Sequence, residues 1–231
     1  MDDPRPVPPR DDGPRFDTPV EVLVWGEFAC FTRPEMKVER VSYPVMTPSA
    51  ARGVLEAIYW KPEFRWEVRE IAVLREVAFA SFTRNEVKGR ASERAARGWG
   101  PTGGYAAPEE RTQRHTLALR DVAYVVRAVP RPHAGGADAE AKHRDTFRRR
   151  VQRGQCFTTP YLGCREWTAG FAPPAGDERP IDVSGPLGRM LLGMAYAADG
   201  SGRADPVFFE AELDRGVLRV PSWSGSARGG G

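Results

Sequence analysis

The order of predicted elements gives an α+β fold, a ferredoxin-like (RRM-like) βαββαβ domain with a long basic loop and a small C-terminal antiparallel β-sheet. Three observations predict it. Val20, Val22 and Val24 alternate with Glu21, Leu23 and Trp25, which reads as a mostly buried first strand. A helix start framed by prolines follows at Thr47 and Pro48. Beyond it, strand-like apolar runs are interrupted by one further helical segment, so the sequence reads strand, helix, strand, strand, helix, strand.

Gly26 closes the first strand, and the next stretch, Thr32 to Gly53, concentrates three prolines, three arginines, two glutamates, a lysine and a tyrosine. Pro44 and Pro48 bias the preceding residues toward extended geometry, which makes a stiff approach to the helix. Thr47 suits the N-cap and Pro48 the first helical position. Ala51, Val54, Leu55 and Ile58 form an apolar stripe, with Arg52 and Glu56 off it. The corner therefore presents Tyr43 and nearby cations beside a helix N-terminus, a place where free N–H groups suit an anion. Lys61 and Pro62 end the helix.

Val68 to Leu74 and Val77 to Phe82 read as two strands with a bend near Arg75 and Glu76. From Arg84 to Glu110 periodicity dissolves into a long loop holding Trp99 and Tyr105 among arginines. Such a composition suits either base stacking with phosphate tracking or a mobile hairpin with its aromatics folded under it. The loop lacks a GK[ST] ending, which argues against a nucleotide-binding P-loop. Thr116 to Ala118 and Val122 to Val129 resume strand character, Ala137 to Arg153 reads as the second helix, and Phe157 to Phe171 as the fourth strand region. PPAGDERP then forms a connector, and Met190 to Tyr196, Val207 to Leu213 and Val217 to Val220 read as strands of the small sheet. The expected organisation is a flexible leader over 1–18, the main domain over 19–172, the C-terminal β-sheet domain over 173–224 and a flexible tail over 225–231.

At 231 residues, with 41% apolar and 28% charged residues, the chain supports a real core and excludes disorder throughout. No apolar run approaches the roughly 20 residues that cross a bilayer, and MDDPRPVPPRDDGPRFD has no signal-peptide core. A cytoplasmic protein without a membrane partner is expected. Cys30, Cys156 and Cys164 are odd in number and lack metal-site spacing, so each is expected to be a buried free thiol. The net charge of +3 is small, but cations gather at Arg84, Lys88, Arg90, Arg94, Arg97, Arg111, Arg114 and Arg120, and again at Arg144, Arg148, Arg149, Arg150 and Arg153. These clusters fit either a nucleic-acid face or a solvated, ion-paired surface. Of three histidines, His133 sits in a loop-like PRPHAGG and His143 among helical charges, whereas His115 follows Arg114 inside a strand-like RTQRHTLAL. Nucleophile-elbow, HExxH and cysteine–histidine signatures are missing from the sequence.

The run GEFACFTRPEMKVERVSYPVMTPSAARGVLEAIYW strongly resembles the Cas-five family of CRISPR-associated (RAMP) proteins, in the subtype I-C (Dvulg) branch. Asn85 within TRNEV, RTQRHTLALRDVAY from Arg111 to Tyr124, and FRRRVQRGQCFTTPYLGCREW from Phe147 to Trp167 extend the likeness. The resemblance implies an endoribonuclease that cuts CRISPR precursor RNA at the repeat stem-loop without metal or cofactor, leaving a 2′,3′-cyclic phosphate. It also implies retention of the mature crRNA 5′ handle within a type I-C Cascade complex. Backbone and large subunits would be partners there, and target DNA would be met through the complex. Other branches of the family imply the alternative, a non-catalytic subunit that caps the handle.

By the same resemblance the catalytic tyrosine maps onto Tyr43 and the catalytic lysine–histidine pair onto Arg114 and His115. Histidine titrates near neutrality and serves as general acid or base. A phenol with an ordinary pKa of about 10 orients the 2′-hydroxyl or donates a proton. Arginine in place of lysine clamps a phosphate but does not exchange protons. RNA contacts are expected from Arg33, Lys37, Arg40, Arg52, Lys88, Arg111, Arg148, Arg149 and Arg150; if the family's lysine transfers a proton, either cleavage here is slow or Lys37 or Lys88 takes that role.

Overall fold

The computed structural model describes residues 18–36, 38–87, 97, 111–197 and 201–222. Its architecture is mixed α/β, a mostly antiparallel, curled nine-stranded sheet with two α-helices of more than one turn among the described residues. The strands are β1 (Val20–Ala29), β2 (Arg40–Val41), β3 (Phe64–Val73), β4 (Phe79–Val87), β5 (Arg111–Pro132), β6 (Gly170–Ala172), β7 (Gly185–Tyr196), β8 (Ala204–Asp214) and β9 (Val217–Arg219), and the helices are α1 (Pro48–Ile58) and α2 (Gly136–Gln152). The main path runs β6-β1-β5-β3-β9-β8-β7, with β2 and β4 added along β5.

Strand β5 is the spine of the molecule. Its C-terminal part pairs with β1 on one edge and β3 on the other, from Leu119 to Pro132. Its N-terminal part pairs with β4 from Arg111 to Leu119, and with the two residues of β2 at Thr116 and Leu117. The two apolar runs at 116–118 and 122–129 are thus one continuous strand. Asp121, with φ +49°, marks the change of partners, in a left-handed conformation that aspartate tolerates better than most residues.

The apolar stripe of α1 is buried as its spacing predicts, and Thr47 caps it by accepting the Ala50 N–H at 3.3 Å. Both helices contact the β1–β5–β3 sheet, and Phe147 and Val151 of α2 join Trp66, Phe64 and Leu55 in the core. Trp66 Nε1 donates to the Tyr59 carbonyl at 2.9 Å, so this indole is buried without an orphaned donor. His143 is also in the core, 2% exposed, stacked on Phe64 and hydrogen-bonded through Nδ1 to the Tyr59 hydroxyl at 3.0 Å.

Phe157 to Phe171 departs from the expected strand. Only Gly170–Ala172 pairs, with Trp25 to Leu23 of β1, and the rest is turns plus an isolated bridge between Tyr161 and Thr168. The segment docks on the rest of the fold instead, through backbone hydrogen bonds and Leu162. Phe157 and Thr158 donate backbone N–H groups to the Ala57 carbonyl at the end of α1, while Leu162 is wholly buried. Gly163 lies so close to β1 that a Cβ there would meet the Cys30 carbonyl oxygen at 2.0 Å.

The expected C-terminal strands form, β7 and β8 longer than their apolar runs and β9 one residue shorter, and β9 pairs with Glu70 to Ala72 of β3, joining the β7–β8 hairpin to the main sheet. The expected leader lies almost entirely, and the tail wholly, outside the described residues, as do Trp99 and Tyr105. No described helix is long and apolar enough to cross a membrane. Cys30 is buried and Cys164 half-buried, but Cys156 is exposed, correcting the expectation for it; it lies in the polar loop that follows α2.

Candidate active site on the long hairpin

The β4–β5 hairpin carries two of the three expected catalytic residues. Its register sets Thr83 opposite His115 and Arg84 opposite Arg114. Directly opposed residues share a face and consecutive ones alternate. His115 therefore stands with Thr83, Ser81 and Leu117 on the exposed face, and Arg114 with Arg84 and Phe82 on the other. Thr83 Oγ1 is 3.4 Å from His115 Nδ1, which leaves Nε2 as the outward nitrogen. Pairing with β2 begins only at Arg40 and Thr116, so no strand partner takes the His115 N–H; Glu39 Oε2 accepts it instead. The other oxygen of Glu39 lies 3.5 Å from Arg114 Nη1, so one carboxylate ties the backbone of one residue to the side chain of its neighbour.

Tyr43 is held elsewhere. It is 1% exposed within the core, with the Arg33 guanidinium 4.5 Å above its ring. Burial pushes its pKa up and the negative charge of Glu35 adds to this, against smaller opposing effects from Arg33, the Leu191 backbone N–H and Arg189. The side chain is thereby held as a neutral phenol, with the Leu191 backbone of β7 beside it. Three residues expected to converge thus occupy three environments: the exposed hairpin face, its opposite face, and the core under Arg33.

The opposite face is organised by acids. Glu166, in the loop before β6, accepts hydrogen bonds from Arg40 at 3.1 Å and from Arg84, and Glu86 lies 3.5 Å from Arg40 and 3.3 Å from Arg84. Phe28, Phe82 and Trp167 stack alongside, with Phe28 and Phe82 edge to face at 4.8 Å. Arg40 is therefore an internal tie. So is Arg150, whose Nη1 donates to the Ile58 carbonyl at 3.0 Å while its guanidinium covers the Tyr59 ring. Arg52 pairs with Glu56 along α1, and Arg148 lies 3.9 Å from Asp145. Arg111 and Arg149 are exposed, and Lys37 and Lys88 lie outside the described residues. The N-terminus of α1 does not offer the expected anion site: Thr47 is buried and fills the cap with its own hydroxyl, and Pro48 has no N–H.

A family model described as CRISPR-associated protein (Cas_Cas5) matches residues 20–221. The chain belongs to that family. Among relatives, it is 46% identical over 220 residues to the CRISPR pre-crRNA endoribonuclease Cas5d of Thermus thermophilus, with 88% of this chain and 91% of the relative covered. It is 42% identical over 213 residues to the protein of the same name from Mannheimia succiniciproducens, covering 87% and 94%. The fold is similar to a solved structure described as a CRISPR-associated protein, with a TM-score of 0.62, 22% identity, and 88% and 92% of the two chains covered.

Sequence reasoning missed Glu39, Thr83 and Glu166. Glu39 and Glu166 were visible only as acids within basic stretches, VER and CREW, where an isolated carboxylate among arginines signals an ion-paired tie. Thr83 carries no local signal, because only the register of β4 against β5 brings it to His115.

Proposed function

We propose that this protein is a metal-independent endoribonuclease that cleaves CRISPR precursor RNA at the repeat stem-loop. In this reading it stays on the 5′ handle of the product within a type I-C surveillance complex, beside backbone and large subunits. The observation that carries the reading is the 46% identity, across 88% of the chain, to a relative named as a pre-crRNA endoribonuclease. The strand order β6-β1-β5-β3 around two helices supports a ferredoxin-like core over 19–172, with 173–224 as its C-terminal extension.

In the proposed reaction the ribose 2′-oxygen bonds to phosphorus, the bond from phosphorus to the 5′-oxygen breaks, and a 2′,3′-cyclic phosphate results. His115 carries the proton transfer, for which an exposed ring with Nε2 outward is suited. Arg114 supplies fixed positive charge for the phosphorane, once RNA draws it from Glu39. Tyr43 orients the 2′-hydroxyl, which requires Arg33 to leave its ring for an RNA phosphate. Beyond those two exchanges of arginine partners, the bound state in this proposal must bring the Arg114 side chain round to the His115 face and open a path to buried Tyr43. The burial of Tyr43 also favours a second reading, a non-catalytic subunit that caps the handle.

Incubation of the purified protein with its repeat RNA in excess EDTA decides between them. One cut at the stem base with a cyclic phosphate end is expected, reduced by about 10²–10⁴-fold in His115→Ala with RNA binding retained. Tight binding without a cut would establish the cap, and full activity in His115→Ala would remove that residue from the mechanism.

A further inference from the structure

Outside the hairpin face, two of the three thiols meet across a seam of the fold. Cys30 directly follows β1, and Cys164 lies in the loop that packs on it. The Cys30 N–H donates to the Leu162 carbonyl at 3.0 Å and the Cys164 thiol donates back to the Cys30 carbonyl oxygen at 3.8 Å, which brings the two thiols close enough for each to shift the other's protonation. Gly163, in a left-handed turn at φ +83°, permits this approach. Arg40 Nη1 sits 3.5 Å from Cys164 Sγ, a cation placed against the half-buried sulfur, whereas Cys30 is fully buried with Thr32 Oγ1 at 3.4 Å. The seam thus couples one accessible thiol with a neighbouring cation to one sheltered thiol.

We propose that Cys164 and Cys30 form a reversible dithiol–disulfide site, with Cys164 as the attacking thiol and Cys30 as the resolving one, and a low-molecular-weight disulfide such as oxidised glutathione as the oxidant. Cys164 thiolate attacks one sulfur of the glutathione disulfide, forming a mixed disulfide and expelling one glutathione thiolate. Cys30 then attacks Cys164 Sγ, giving its proton to solvent and expelling the second glutathione. Two protein thiols are oxidised by two electrons and one glutathione disulfide is reduced to two glutathione molecules.

The protonation balance supports these roles. The Cys30 thiol and, to a smaller degree, Arg40 hold the Cys164 thiol below the ordinary thiol range, against burial and Glu166, while the same thiol pairing and burial push Cys30 up. With Arg40 beside it and partial exposure, Cys164 is the more reactive sulfur of the two. The bond would covalently fix the loop to β1. Glu166, two residues on, holds Arg40 and Arg84, so oxidation would also clamp the base of the β4–β5 hairpin.

The test uses the unmodified full chain, equilibrated across ratios of oxidised to reduced glutathione, acid-quenched, denatured and labelled with N-ethylmaleimide. Reduced protein should take three labels, one for each cysteine. Oxidised protein should lose two of them together, with two hydrogens lost from the mass and a linked peptide pair containing Cys30 and Cys164. Exposed Cys156 is the internal reference, expected only to take label or a glutathione adduct. Cys30→Ala should stop the sequence at a stable glutathione adduct on Cys164, and Cys164→Ser should leave Cys30 unreacted. Retention of both labels at ratios that glutathionylate Cys156, or a lasting adduct on Cys164 of the unmodified chain, would overturn the proposal.

Discussion

Replacing Gly163 by alanine puts the seam between β1 and the loop before β6 to a direct test. An L-residue forced to φ +83° carries a cost of roughly 1–2 kcal/mol. The new Cβ would also stand 2.0 Å from the Cys30 carbonyl oxygen and 2.7 Å from its carbon, both backbone atoms with no flexible end to swing aside. The loop must retreat, which breaks the hydrogen bond from Cys30 N–H to Leu162 O, worth about 1 kcal/mol net. Adding partial exposure of buried Leu162, the expected loss is about 3 kcal/mol. At about 2–4 °C per kcal/mol for a chain of this size, Tm should fall by about 6–12 °C. Circular dichroism melts of Gly163→Ala against the parent read this directly. Gly53→Ala is the matched control: it sits within α1, where an added Cβ would find nothing within 4 Å, so it should stabilise by up to about 1 kcal/mol. A Tm for Gly163→Ala within about 2 °C of the parent, less than 1 kcal/mol on that scale, would refute the close-approach argument.

Further expectations follow from residues with separable roles. Arg148→Ala with Arg149→Ala should weaken RNA binding and, if each contacts one phosphate of single-stranded RNA, lower the salt slope by about 1.4; an unchanged slope makes these residues a solvated face. Arg150→Ala should instead cost stability, because its guanidinium ties the end of α1; a thermal melt matching the parent would contradict that role. Burial holds the His143 pKa below its ordinary value of about 6.5, outweighing the raising effect of Glu63, so the unfolded chain takes up its proton first. Stability from this group is complete above about pH 6.5 and declines below it, and His143→Gln should flatten that part of the urea-midpoint profile. A profile as steep in the variant as in the parent would assign the drop to other groups.

The periodic parts of this fold were legible. The alternation at Val20 to Val24, the stripe of α1 and the Thr47–Pro48 start depend on side-chain spacing that any local window contains. The 157–171 segment misled because Phe157, Leu162 and Phe171 are apolar for different reasons, one exposed, one plugging the core and one pairing with β1. Arg40 and Arg150 counted as free cations in sequence because their partners, Glu166 and the Ile58 carbonyl, lie 126 and 92 residues away. Tyr43 follows the same logic: the proline corner marks it, but its burial depends on Arg33 and on β7, which no local pattern announces.

The role of β5 as common partner has a consequence for the nascent chain. Neither β1 nor β3 pairs with the other, and each meets β5 before any later strand can complete the sheet. The β1–β5–β3 pairing can therefore start only with synthesis of Leu119 and is complete only when Pro132 has been made. From Ala29 to Pro132 is 132 − 29 = 103 residues, which at about 5–20 residues per second takes about 5–20 s. During that interval Val20, Val22 and Val24, and Val68 and Ile71 once they have been made, all core residues in the finished protein, lack their β5 partner. Synthesis of this chain includes a period of obligatory apolar exposure, during which holding chaperones or a fast ribosome would govern the yield of folded protein.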